Sequence, residues 1–278
     1  MHPNKILMVT PQGFDIKYAI NVHMKNTEGN LHQVDSEKAL CQWKELKNTY
    51  ESLGFEVLLK EGDSNFPDMV FCANTSFSFL DSENKPSVIL SQMHDLQRKG
   101  ETEAIEKWFL SQDIKVYRLD TSSDFEGSGD ALWSYEAQEI FCGYGFRTQP
   151  SICSQIEKIT HKKTYAIHLI NENFYHLDTC LSILNKDTAV YVPGAFSTDG
   201  LELIRSKFNT LIEASENEAV DYLAANCHCP DGKNVIFQKG AENLCNQLRQ
   251  HSFNAIEVDT SEFIKSGGSI FCMKQQLF

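Results

Sequence analysis

The sequence predicts an α/β fold, a five-bladed pseudo-symmetric propeller formed as one domain over residues 1–278. Three observations predict it. First, Leu119-Asp-Thr-Ser-Ser-Asp-Phe125 and Val258-Asp-Thr-Ser-Glu-Phe263 agree almost letter for letter. Second, each copy follows a helical pattern and a short apolar strand, and the same order leads to Phe66-Pro-Asp-Met-Val-Phe-Cys-Ala-Asn74. Third, two fainter copies fill the interval. One is Thr164-Tyr-Ala-Ile-His-Leu169 followed by Phe174-Tyr-His-Leu-Asp178, the other Phe208-Asn-Thr-Leu-Ile-Glu213 followed by Ala219 to Asn226. The result is about five units at a period of roughly fifty residues, the pattern of an architecture whose units bury their faces against neighbours. Each unit reads as strand, polar loop, strand, with a helix before it in the clearer copies.

The elements follow in chain order. Lys5-Ile-Leu-Met-Val-Thr10 reads as a short apolar strand, ended by Pro11-Gln-Gly13. From Asp35 to Leu53 the positions Leu40, Trp43, Leu46, Tyr50 and Leu53 recur at helical spacing with charges between them. Asp35 or Ser36 can cap that helix and Gly54 stops it. Phe55-Glu-Val-Leu-Leu59 is the next strand. A second helix is predicted over Glu101 to Ser111, before the strand Ile114 to Leu119 and the segment Phe125-Glu-Gly-Ser-Gly-Asp130. A helix over Glu242 to His251 leads to the strand Phe253 to Val258. Ser269-Ile-Phe-Cys-Met273 reads as a short extended strand, which would place Cys272 just past the turn at Gly267-Gly268. No stretch rich in Pro, Gly or Ser interrupts the array.

Composition bounds the function. Hydrophobic residues at 41% and charged residues at 23% are ordinary for a globular protein. No apolar run approaches the ~20 residues that span a bilayer, and the first residues lack the pattern of a signal peptide. Nine cysteines at irregular spacing then imply reduced thiols and a cytoplasmic setting. A net charge of -13 argues against nucleic acid and suits a cationic small molecule.

The repeat aligns five positions that follow the polar loops: Asp68, Glu126, His176, Asn226 and Cys272. Polar groups converging on one pocket are the usual picture of an active site. A single thiol such as Cys272 is more often a packed hydrophobe than a nucleophile. With His176 to exchange protons and Glu126 to orient the imidazole, it instead completes a pattern for acyl-transfer-like chemistry. Asp68 and Asp178 add acid to the same rim, and an anionic pocket around a thiol suits a guanidinium, whose planar N–H donors pair with carboxylates.

These residues resemble the guanidine-modifying superfamily, called pentein or amidinotransferase-like. It includes arginine deiminases, dimethylarginine dimethylaminohydrolases, arginine dihydrolases and glycine amidinotransferases. The resemblance rests on Tyr18-Ala-Ile-Asn21, the Phe66–Asn74 segment, Phe125–Asp130, Gly143-Tyr-Gly-Phe-Arg147, Phe174–Cys180 and Gly267-Gly-Ser-Ile-Phe-Cys272. It is nearest to arginine dihydrolases and dimethylarginine dimethylaminohydrolases. It implies Cys272 as nucleophile, His176 as proton shuttle and Glu126 as its orienting carboxylate. It further implies Asp178, Asp68 and Asn74 at the guanidinium, Arg147 at a substrate carboxylate and Asn21 elsewhere in the pocket. Asn74 stands where deiminases carry Asp. The implied protein is a hydrolase of a guanidino compound, working through a covalent thiouronium without cofactor or metal. An amidinotransferase and a non-catalytic binding protein on the same ring are the alternatives, and a homo-oligomer stays open. Gln92 departs from the pattern, standing where arginine-using members place a second carboxylate-binding arginine, and Arg98 lies close enough in sequence to substitute.

Four weaker signals are set aside. Cys227-His228-Cys229 has ligands too close together for a usual zinc site. Gly143-Tyr-Gly145 lacks the remainder of a dinucleotide fingerprint. Cys180 is expected to be a packed thiol inside a strand, and Lys162-Lys163 a solvated turn.

Overall fold

The computed structural model describes residues 3–119 and 123–278; the middle of the first repeated phrase, residues 120–122, falls outside the described residues. One topological unit recurs through five small sheets. In the first sheet, β1 (Lys5–Val9) crosses through α1 (Ser36–Ser52) to a parallel partner, β2 (Glu56–Lys60). The second pairs β3 (Ser76–Leu80) antiparallel with β4 (Pro86–Leu90), and α2 (Lys99–Ser111) carries the chain to β5 (Lys115–Tyr117), parallel to β4. The third, preceded by the single turn α3 (Gly127–Asp130), repeats this with β6 (Ala131–Ser134), β7 (Glu139–Tyr144), α4 (Ser151–Thr160) and β8 (Thr164–His168). The fourth uses β9 (Leu181–Ile183), β10 (Thr188–Tyr191), α5 (Thr198–Lys207) and β11 (Thr210–Glu213).

After α6 (Glu216–Asp221), the fifth sheet joins β12 (Asn234–Gln238) through α7 (Glu242–Gln250) to β13 (Asn254–Val258). Its antiparallel member is reduced to one bridge, His228 to Ile236. The short α8 (Ser261–Ile264) leads to β14 (Gln275–Leu277), which pairs antiparallel with β1. The two ends of the chain therefore share a sheet.

Local chemistry explains the helices. Asp35 caps α1, its carboxylate accepting from the backbone N–H of Glu37 and Lys38. Ala39, Trp43, Leu46 and Tyr50 form the buried stripe. Leu40, expected on that stripe, is 40% exposed because it falls one position off the buried face. Gly54 ends the run at φ +87, a left-handed conformation that favours glycine. Asp35→Ala is expected to cost about 1 kcal/mol of stability, read as a lower urea midpoint.

The segments after the polar loops differ from expectation. Read as strands, they are tight helical turns: Pro67–Val70 and Cys72–Thr75 in the second unit, Gly127–Asp130 in the third, Leu177–Thr179 in the fourth. Ser269–Met273 is likewise a turn rather than a strand. Its reason is visible in the donors. The Asn226 carboxamide oxygen accepts from the backbone N–H of Phe271 at 3.1 Å and of Cys272 at 3.4 Å, and the Met273 N–H returns to Ser269 O at 3.2 Å. Those N–H groups are not available to a sheet ladder. Cys180 sits just ahead of β9, not inside a strand, and is fully buried.

Four buried apolar clusters lie between neighbouring units. One holds Leu7 and Val9 against Val88 and Leu90, joining units one and two. A second holds Phe77 and Phe79 with Ile140, joining two and three. The largest runs from Phe141 through Val190 to Phe237, and the last brings Ile236 and Val258 against Ile6 and Met8. Each unit thus covers its apolar faces with its neighbours, and the fifth closes on the first. Among the described residues no helix is long and apolar enough to cross a membrane. The cysteines are free thiols, all buried except Cys41.

Candidate active site

The turns that interrupt strand geometry are where the polar residues gather. Asn21, Asp68, Asn74, Arg98, Arg147 and His176 line one small cavity of about 10 Å³ together with Cys272. Glu126 and Asp178 stand behind that wall, fully buried. Two glycines make the crowding around Glu126 feasible. A Cβ on Gly127, at φ +56, would lie 2.6 Å from Ser76 O, and one on Gly129 would lie 2.2 Å from the Asn74 amide.

On one side, His176 Nε2 meets Glu126 Oε2 at 2.6 Å, leaving Nδ1 toward the Asn74 amide at 3.4 Å. The other Glu126 oxygen accepts from the His94 backbone N–H. Burial pushes the Glu126 carboxyl up, but the hydrogen bond and charge of His176, with Arg147 and Arg98, hold it well below the usual carboxylate range. It is an anion fixed against an imidazole. Behind it, Asp130 accepts from the Thr148 hydroxyl and from the Leu177 N–H, anchoring the turn that carries His176. Burial pushes Asp130 up to about 6.

On the other side, the Cys272 thiol lies 3.2 Å from Asp178 Oδ2, and the Asn226 amide donates to the sulfur at 3.2 Å. Burial, then the neighbouring Asp178 charge, raises the Cys272 thiol well above its ordinary value. Burial also raises Asp178 to about 7, and its Oδ1 has no hydrogen-bond partner among the described residues. The pair holds an acidic proton and an unfilled acceptor side by side.

The remaining walls are charged. Asp68 accepts from Tyr18 Oη at 2.7 Å and Ser266 Oγ at 3.2 Å, and burial raises its carboxyl. Asn21 donates to Ser266 O. Arg147 pairs with Asp95 at 2.7 Å, with Glu126 at 3.5 Å, and lies over the Tyr175 ring. Arg98 clasps Glu101 with Nε and NH2 at 2.9 and 2.8 Å and reaches Asn74 Oδ1 with NH1 at 3.0 Å.

The position expected of Gln92 needs correction. Its backbone bridges to Phe125 in both directions, outside the cavity wall, and the second guanidinium of the cavity is Arg98. Sequence reading underweighted Arg98 because Leu96–Arg98 forms a turn that folds it back onto the Asp68 turn. The Arg98-x-x-Glu101 spacing was the available signal. Tyr175 and Ser266, which also line the cavity, and Tyr18, which donates to Asp68, were given no role by the sequence. At Cys227-His228-Cys229, both His228 ring nitrogens are engaged, by Tyr50 Oη at 2.9 Å and Gln276 Oε1 at 3.0 Å. Lys162 lies on a bend, half-buried, and Lys163 is exposed just before β8.

A family model described as N,N dimethylarginine dimethylhydrolase, eukaryotic, matches residues 10–278. The chain is 33% identical over 272 residues to the bifunctional arginine dihydrolase/ornithine cyclodeaminase ArgZ of Synechocystis sp., covering 97% of this chain and 37% of that protein. It thus spans little more than a third of that relative's length. It is 35% identical over 266 residues to the N(G),N(G)-dimethylarginine dimethylaminohydrolase of Mycobacterium tuberculosis, covering 95% of this chain and 83% of the relative. A solved structure of an ArgZ N-terminal-domain variant, covalently bound to a reaction intermediate, superposes with a TM-score of 0.89 at 32% identity, covering 98% and 97% of the two chains. A family match over nearly the whole length establishes that this chain belongs to the N,N dimethylarginine dimethylhydrolase family.

Proposed function

We propose that this chain is a cysteine-dependent hydrolase of a guanidino compound, arginine or a derivative, that needs neither cofactor nor metal. The observation that carries the reading is the pairing across one cavity. A thiol is held by Asp178 and Asn226 on one side, and an imidazole is held by Glu126 on the other. The five sheets are the blades of a single-domain propeller, and the ring of shared apolar clusters supports that arrangement.

In the resting protein the thiol is protonated. A guanidinium entering beside Asp178 supplies donors to the empty Oδ1 and a positive charge to the thiol, and both favour the thiolate. The thiol gives its proton to His176, and the thiolate forms a bond to the central carbon while the C=N electron pair moves to nitrogen. The C–N bond to the departing nitrogen then breaks, and His176 gives that nitrogen its proton through Nδ1. Ammonia or an amine leaves, and a thiouronium remains on Cys272. His176 next takes a proton from water, the oxygen bonds to the same carbon, and the C–S bond breaks to return the thiolate.

Asp68 and Asn74 bind the guanidinium, while Arg147 and Arg98 meet a carboxylate tail. Asn21 fixes the Ser266 turn beside the sulfur. The resting cavity, about 10 Å³, holds no more than about one water, so it must widen as substrate enters.

A panel of arginine, its methylated forms, agmatine and guanidinoacetate, assayed for ammonia, citrulline and ornithine, tests the reading. At least one member is expected to release ammonia or an amine in chelator, with water as the acceptor. Turnover that requires an added amine acceptor would instead identify an amidinotransferase. No turnover of any member by the folded protein would overturn the proposal.

A further inference from the structure

One inner segment from each of the five units lines a second cavity, of about 50 Å³. Ser78 comes from β3, Trp133 from β6, Ile183 from β9 and Gln275 from β14. His228 comes from the bridge that stands in for an inner strand in the fifth unit. This cavity shares no lining residue with the active-site cavity. Its only lysine or arginine is Lys274, 2% exposed, whose Nζ lies 3.2 Å from the centroid of the Phe271 ring. Among the described residues no hydrogen bond or ion pair reaches that Nζ. An ammonium withdrawn from bulk water without an anion is costly, and the cavity leaves room for one beside it.

The titratable groups around Lys274 do not supply that anion. Asp178, on the turn before β9, stands beyond ion-pairing distance and lines neither cavity. Cys72, on the turn before β3, and Cys272 are both pushed up by burial and stay neutral thiols. His228 is held neutral by burial, with both ring nitrogens engaged by Tyr50 and Gln276. Burial keeps the Tyr135 hydroxyl neutral as well. Glu136 is the only carboxylate on the cavity wall, and its Oε2 accepts from the Lys186 backbone N–H at 3.1 Å. Leu132, Leu184 and the Phe271 ring give the same wall an apolar part.

We propose that this cavity is a binding site for a short aliphatic carboxylate, its carboxylate on Lys274 and its tail against Leu132, Leu184 and Phe271. Size supports that class. One water takes about 10–15 Å³ on this measure, so the cavity holds about four, matching the four or five heavy atoms of acetate or propionate. Phosphate would find no second cation there. Burial lowers the Lys274 ammonium to about 7, and a bound carboxylate favours its charged form. Affinity is therefore greatest below that value and falls as the lysine loses its proton above it. The site does not depend on Cys272 being the nucleophile.

Titration calorimetry of the full chain with sodium propionate, and a crystal structure of the chain soaked in propionate, test the site. One propionate per chain is expected near pH 6, with Kd on the order of 1 mM. Binding should be about tenfold weaker near pH 8. Lys274→Met should weaken it at least about tenfold without lowering the melting temperature, because an unpaired buried charge is removed. If the Met variant does not fold, Lys274→Gln decides by the same titration, and the soaked wild-type crystal decides without any variant. Electron density for propionate is expected beside Lys274 Nζ. Density only at Arg98 and Arg147 would mean that the carboxylate prefers the active site, and would overturn the proposal. So would unchanged affinity in a folded Met or Gln variant, or no binding at about 20 mM, which would leave the cavity to water. Chloride and phosphate serve as comparison anions, and either one binding as tightly as propionate would overturn the assignment to a carboxylate.

Discussion

Cys272→Ser is expected to remove turnover of every guanidino compound, by a factor on the order of ten thousand or more, while the fold survives. A serine hydroxyl has almost no anionic form near neutrality, so the step that forms the covalent bond loses its nucleophile. The substitution changes little else. Asn226 still finds an acceptor and Asp178 still finds a donor, at positions now 3.2 Å from sulfur. Melting temperature and far-ultraviolet circular dichroism should stay close to wild type while ammonia release falls to background. The rival thiols nearby are poor substitutes. Cys72 is raised to about 12 by burial and donates to Leu7 O, and Cys180 is raised by burial and donates to the carbonyls of His176 and Leu177. A folded Cys272→Ser protein with wild-type ammonia release would move the chemistry elsewhere.

The repeat was legible because it rests on letters that a strand and its loop both need. Val258-Asp-Thr-Ser-Glu-Phe263 begins on the last residue of β13, and its twin begins two residues after β5, so the period survives. The hairpins were not read, because β3, β6 and β9 are short and buried on both faces and carry no alternation to follow. The turns bearing Asp68, His176 and Cys272 were misread as strands for a related reason. Their apolar letters, Met69, Leu177 and Met273, are buried as strand residues would be. What bends them is partly side-chain hydrogen bonding from distant residues, as Asn226 does for Cys272, and that is invisible at short range. The same limit hides the burial of Lys274, beside Gln275 and Gln276. Burial there comes from the closure of the first sheet by β14.

Arg98→Lys is expected to cost arginine about ten- to a hundredfold in kcat/KM, mainly through KM, and to cost agmatine less than about threefold. Arg98 and Arg147 are the two guanidinium groups of the cavity wall, and a substrate carboxylate has no better partners there. Lysine keeps the charge but cannot reproduce the fork that grips Glu101 through Nε and NH2 while NH1 holds Asn74. Alanine is the poorer test. Glu101 is fully buried and already raised to about 7 by burial against the pull of Arg98, so losing the cation would leave it protonated or unfold the turn. Agmatine supplies the control because it carries the guanidinium without the carboxylate. Equal losses on arginine and agmatine would mean that Arg98 acts through Asn74 and the Asp68 turn, and the assignment to the tail would fall. Gln92→Arg belongs beside it. Gln92 is tied to Phe125 by backbone hydrogen bonds of 2.9 Å in both directions, outside the cavity wall. A new guanidinium at that position should leave kcat/KM for arginine within about twofold of wild type, because the group lies away from the reacting carbon and from the tail. An improvement beyond that would show that position 92 reaches the carboxylate after all.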